Sequence, residues 1–244
     1  MTIKTEDYPL ARRLFLYTGN TPSPAAKMLL DHALEESAQP VVKKAHFVDL
    51  SVAREDESGQ ASSRSRIERY RDFYAQLDPA ARRDLRFDDR TWRDLRDRTS
   101  GAERLSVTFY FEFGSEKLDT RAQQDVWRLA HYLNDEARGQ DVLLAGFADA
   151  IGTFPANLTK SHGRADAVRE ELLRAGVARD RLEARGFSKL LPVVCNTPDT
   201  ERRRSDPRFD QEVRQKNRRV EVWVRRAGAA RPAWRLPASA TALQ

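Results

Sequence analysis

Gly146-Phe147-Ala148-Asp149-Ala150-Ile151-Gly152-Thr153 is the stretch on which the reading of this chain turns. It continues from Val142-Leu143-Leu144-Ala145, and the short apolar run is the pattern of a strand covered on both faces. Asp149 stands where that strand stops, and Gly152 supplies a turn. Side chains at such strand ends face a crevice. A helix follows, with Ala165, Val168, Leu172 and Leu173 on one face and Gly176 at the position after its C-cap. Phe154 and Pro155 read as part of the loop before it. Arg164, fifteen residues beyond Asp149, then falls near the helix start. A right-handed crossover returns that helix beside the strand it left, so the acid and the base can meet around one ligand.

Working outward, Val107, Phe109, Phe111 and Phe113 alternate as a half-buried strand requires, and the aromatic run Phe109 to Phe113 reads as core. Ala122, Val126, Leu129, Ala130 and Leu133 mark one face of a helix. Leu182 to Phe187 and Val220 to Val224 supply two more strands. The order β-α-β-α-β-β over residues 104–226 implies an α+β domain with helices packed on a mixed sheet.

The flanks carry weaker patterns. In residues 1–52, Leu14 to Tyr17 and Phe47 to Leu50 read as short strands. Between them Ser23-Pro24 opens a helix, with Ser at the cap, and Pro40 interrupts its apolar pattern. Residues 53–103 are dominated by Arg, Asp, Glu and Ser, and Arg54 to Arg66 reads as a flexible linker. Ile67, Tyr70, Tyr74 and Leu77 suggest an amphipathic helix, Pro79 opens another, and Trp92 and Leu95 offer a further apolar stripe. This stretch is expected to be a partly helical connector with little core of its own. The tail over 227–244, rich in Ala, Pro and Arg, reads as disordered.

Composition narrows the function classes. The 244 residues carry a net charge of +6, and 33% of them are charged. The positive excess is arginine dispersed among acids rather than a basic block, which argues against a nucleic-acid partner. No apolar run is long enough for a transmembrane helix. The single Cys195 excludes an internal disulfide, and His32, His46, His131 and His162 lack ligand spacing, so no metal site or cofactor is expected. No nucleophile pairs with a base, so catalytic residues are not assigned and an enzyme is not expected. Singly, Asp149 reads as a turn residue, Arg164 as a surface ion-pair partner, and Arg218 with Arg219 as marks of a strand edge. Together, Asp149 accepts hydrogen bonds from an ammonium group and Arg164 grips a carboxylate with two parallel donors, so the pair reads a zwitterion. Orphan N–H groups at the nearby helix start add to the field on that carboxylate.

The stretch from Gly146 to Thr153 continues through Asn157, Ser161, Arg164 and Ala165 and returns as Asn217-Arg218-Arg219-Val220-Glu221. That series, with Phe111-Glu112-Phe113, Ser115 and Leu118 before it, resembles the OmpA-like family over about half the chain. The resemblance implies non-covalent binding of peptidoglycan through the meso-diaminopimelate of its stem peptide, and a periplasmic location at the cell wall and outer membrane. It assigns the binding site to Asp149, Arg164, Asn157, Arg218 and, more loosely, Glu112, where the family more often has Asp. Ala148 replaces a usual Thr, Lys160 replaces a usual Leu, and a long charged segment from Asp199 to Gln215 precedes the closing motif. The alternative is an OmpA-like domain that serves as a structural or oligomerisation module without wall binding.

Residues 1–52 also resemble the closing segment of periplasmic phosphate-binding proteins. The resemblance rests on Glu6-Asp7-Tyr8-Pro9-Leu10-Ala11-Arg12-Arg13-Leu14, the Pro-Ala-Ala-Lys helix and Phe47-Val48-Asp49-Leu50. The N-terminus has no apolar signal region. These features imply the C-terminal part of a fusion or a truncated reading frame, with the export signal missing from this chain.

Overall fold

The computed structural model describes residues 16–47, 49–54, 67, 70, 72, 75, 89–193 and 214–225. Through them the chain runs α1 (Pro24–Leu34), α2 (Gln39–Lys44), α3 (Asp89–Thr99), β1 (Ala102–Tyr110), α4 (Thr120–Asn134), β2 (Val142–Gly146), α5 (Phe154–Arg174), β3 (Leu182–Gly186) and β4 (Arg219–Arg225). From β1 onward this is the β-α-β-α-β-β order that the sequence patterns imply. The four strands form one mixed sheet in the order β1-β4-β2-β3. β4 runs antiparallel to both β1 and β2, whereas β3 is parallel to β2, as the α5 crossover between them requires.

Alternation along the strands sorts side chains to two faces. Val142 and Leu144 of β2, with Val220, Val222 and Val224 of β4, point to one face. There they meet Ala122, Val126, Leu129 and Leu133 of α4 and Ala165, Val168 and Leu172 of α5. Leu143 and Ala145 point the other way, with Trp223, into a second cluster. α5 ends as its sequence suggests. Gly176 takes φ +86°, its N–H donates to Leu173 O, and Val177 N–H donates to Leu172 O, a closed Schellman cap.

The second face gives the stretch read as a connector with little core of its own a place in the core of the sheet. Trp92 and Leu95 of α3 are buried against it, with Leu143, Phe147, Phe187 and Trp223. Ile67, which is helical, joins the cluster, and Tyr70 packs its ring 5.7 Å from that of Trp92. The reason is general: a sheet apolar on both faces needs a layer on each, and α4 and α5 cover only one. Arg98 fixes α3 in place through ion pairs with Asp94 and Glu183. Arg54, read as the start of the linker, is likewise held. Its guanidinium donates to Tyr132, Glu103 and Gln140, and its backbone bridges Leu105.

Other differences have local causes. β1 ends at Tyr110; Phe111 stays buried, but Phe113 is 60% exposed because the chain leaves the sheet toward a turn at Gly114. The strands expected at Leu14 to Tyr17 and Phe47 to Leu50 are absent among the described residues of those stretches, where Leu16, Tyr17 and Phe47 are exposed. An apolar run becomes a strand only with a partner to pair with, and none of the described strands pairs with these. The Ser23 cap of α1 forms as expected, accepting from Ala26 N–H at 3.2 Å. Pro40 separates two helices by standing in the first turn of α2. Residues 55–66, Tyr74, Leu77, Pro79, Cys195, most of the Asp199 to Gln215 segment and the tail lie outside the described residues. Among the described residues, no helix is long and apolar enough to cross a membrane.

Truncating Leu95, fully buried on the second face, tests whether α3 belongs to the core. Leu95→Ala should lower the unfolding free energy by about 2–5 kcal/mol in urea denaturation. A change below about 0.5 kcal/mol, the range of ordinary surface substitutions, would show that α3 is peripheral.

Candidate functional site

The site is set by how closely α5 lies on the sheet. A Cβ at Gly146 would overlap the backbone carbonyl of Ser161, and one at Gly186 would stand 2.5 Å from His162 N. Two glycines at adjacent positions of β2 and β3 therefore let the helix backbone sit directly on the strands. The Ser161 hydroxyl locks the contact, donating to Leu158 O and accepting from Ser188 N–H at 3.0 Å. Arg164 follows three residues later and points to the end of β2.

α5 starts earlier than the sequence reading placed it. Thr153 caps it, accepting from Ala156 N–H at 3.4 Å, and Pro155 stands in its first turn. Arg164 is consequently mid-helix, ten residues after Phe154. Ten residues rise about 15 Å, so the orphan N–H groups of the helix start are too distant to act at Arg164. The cap and the first-turn proline were the signals that could have corrected the assignment.

Asp149 is 4% exposed and already engaged. Its Oδ1 accepts from Ile151 N–H at 3.0 Å, which folds the loop back on itself, and its Oδ2 pairs with Arg218 Nη1 at 2.8 Å. Arg218 also donates through Nε to Phe111 O at 3.1 Å and lies over the Phe113 ring, 5.9 Å from its centre. The ion pair within the chain is therefore Asp149–Arg218, which the sequence reading did not foresee. Asn157 is more buried still, and its amide donates to Ile151 O at 2.9 Å and Asp149 O at 3.3 Å. It holds the loop. Lys189 braces the same loop from outside, donating to Gly152 O at 3.0 Å and Ala150 O at 3.3 Å. Glu112 is exposed and accepts from Gln215 at 2.8 Å, with no bond to Asp149, Asn157 or Arg164 among the described residues.

Arg164 is 2% exposed. Nε donates to Ser115 O at 3.1 Å, Nη1 reaches Phe147 O at 3.4 Å, and the guanidinium stands 5.6 Å from the centre of the Phe111 ring. Both bonds go to neutral carbonyls, so among the described residues no carboxylate bonds to it directly. Burial, and then the nearby Arg218 charge, push this guanidinium below its ordinary pKa, while Asp149 and Glu116 pull the other way. A buried cation held only by carbonyls is a ready receptor for an anion, and its planar fork suits a carboxylate. In the sequence, Ser115 supports the resemblance without a site role, and Glu116 was not singled out. Their loop comes from before α4, and only the fold brings it over α5.

With this geometry in place, comparison with known proteins is direct. The OmpA family profile matches residues 110–206. Outer membrane protein A of Yersinia pseudotuberculosis is 35% identical over 96 residues, covering 39% of this chain and 27% of that protein. The peptidoglycan-associated lipoprotein of Pseudomonas aeruginosa is 32% identical over 123 residues, covering 50% of this chain and 64% of that protein. The chain thus spans between about a quarter and two thirds of the length of these two relatives. Among solved structures, the peptidoglycan-associated lipoprotein from Burkholderia pseudomallei aligns at 27% identity with a TM-score of 0.41, over 48% of this chain and 89% of that one. The family match begins at residue 110, so the resemblance of residues 1–52 to phosphate-binding proteins gains no support from it. Residues 110–206 are an OmpA-like domain.

Proposed function

We propose that this chain binds peptidoglycan non-covalently through the meso-diaminopimelate of the stem peptide, anchoring itself or a fused partner to the cell wall. Arg164 carries the reading: a buried guanidinium at the end of β2 whose bonds to the described residues go to two backbone carbonyls and to no carboxylate. A bound carboxylate repays the burial and the Arg218 repulsion that this cation otherwise bears. The name of the Pseudomonas aeruginosa relative, a peptidoglycan-associated lipoprotein, supports the same ligand class. Relatives named as outer-membrane proteins support a place in the cell envelope, on the periplasmic side.

The other site residues take graded roles. Asp149 keeps lone pairs beyond its two bonds to Ile151 and Arg218 and offers them to the ligand. Arg218 holds Asp149 in place, and Asn157 fixes the loop that presents it. Glu112, at the rim with Gln215, contributes least. This is a binding role, with no catalytic residue assigned.

Co-sedimentation with purified sacculi tests the reading. Arg164→Ala should abolish binding to meso-diaminopimelate walls with circular dichroism unchanged. Truncating one side of a desolvated charge pair costs about 2–5 kcal/mol, roughly 30- to several-thousand-fold in affinity. Arg164→Lys should also fail, because a point-like ammonium does not reproduce the two-pronged grip. Full binding by Arg164→Ala places the site elsewhere, and no binding by the unaltered protein favours a structural or oligomerisation module.

Wall chemistry gives a second prediction. Sacculi with lysine in place of diaminopimelate lack the carboxylate that Arg164 would hold, and should be retained at least about tenfold less well. Equal retention on both walls would contradict the diaminopimelate assignment.

A further inference from the structure

Asp149 and Arg218 neutralise each other, which leaves Glu116 as the other acid acting on Arg164 among the described residues. Glu116 is exposed and hydrogen-bonds to no other described residue, yet its position is defined. Its carboxylate lies flat against Gly163: a Cβ there would stand 2.5 Å from Oε2 and 2.6 Å from Cδ and Oε1. The preceding residue is fastened to the same spot, because Ser115 O accepts from Arg164 Nε at 3.1 Å. Gly163 immediately precedes Arg164 in α5, so the missing side chain opens the space that the carboxylate fills.

Resting on the peptidoglycan reading above, we infer that Glu116 is a specificity-determining residue, receiving the ammonium of the ligand's free amino-acid end while Arg164 holds its carboxylate. The two groups of an amino-acid end share one carbon, so a receptor for it needs adjacent charges of opposite sign. Glu116 and Arg164 supply them. Asp149, committed to Arg218 and Ile151 N–H, is left as a secondary acceptor. Gly163 belongs to the same device, since any side chain there displaces the Glu116 carboxylate.

Calorimetry on the full chain with two synthetic peptides tests this. One is the stem tripeptide ending in meso-diaminopimelate; the other ends in 2-aminopimelate, which keeps the distal carboxylate and lacks the distal amine. The unaltered protein should prefer the first by about tenfold, the lower range for a hydrogen bond to a charged group. Glu116→Gln and Gly163→Ala should each bring the ratio close to one while keeping affinity for the aminopimelyl peptide. Gly163→Ala should leave the melting temperature equal or higher, because only the flexible end of Glu116 stands in its way and alanine favours a helix. A tenfold preference that survives in both variants, or equal binding of both peptides by the unaltered protein, overturns the Glu116 role and leaves the Arg164 reading standing. Failure of the unaltered protein to bind either peptide overturns both.

Discussion

A single buried ion pair, Asp149 with Arg218, joins the two parts of the sheet that make the site. Asp149 closes the loop after β2, and Arg218 enters β4, the strand that lies between β1 and β2. Both partners are buried, so the pair carries a desolvation penalty, and losing either one strands a charge. Such a bond is better understood as fixing geometry than as adding stability. It sets the loop through Ile151 and Asn157, orients Arg218 over Phe113, and occupies an acid that acts on Arg164. Arg164 is left buried and, among the described residues, bonded to carbonyls alone.

The close approach of α5 is the second constraint, and it is steric. Gly146 and Gly186 allow backbone to rest on backbone, and the Ser161 hydroxyl bonds across the seam. Arg164 is carried to the strand end by that contact rather than by any interaction of its own. The scaffold and the receptor are therefore separable. Glycine and serine place the helix, and the arginine and its carbonyl partners define what the crevice accepts.

Much of this was legible in the residues. The apolar β2, the stripes of α4 and α5, the Gly176 cap and the strand order all follow from period and turn chemistry. The start of α5 was misplaced because Phe154-Pro155 looked like loop, although Thr153 and Pro155 together are a helix-opening signal. The role of α3 was hidden because a helix eleven residues long with many charges shows little apolar surface; its buried apolar residues are Trp92 and Leu95, and the need for them comes from the far side of the sheet. The partner of Asp149 was hidden for another reason. Spacing pairs residues along one crossover, but Arg218 arrives from sixty-nine residues away, after a segment whose path no periodicity predicts. Glu116 was not singled out in the sequence, since its packing on Gly163 comes only from the fold.

The central claim is that Arg164 receives a carboxylate of the wall peptide at the end of β2. A crystal structure of the protein with the stem tripeptide bound tests it most directly. The account predicts the distal carboxylate of diaminopimelate within hydrogen-bonding distance of the Arg164 guanidinium, with the Asp149–Arg218 pair intact beside it. Peptide bound on another surface, with Arg164 still contacting only Ser115 and Phe147 carbonyls, would contradict it.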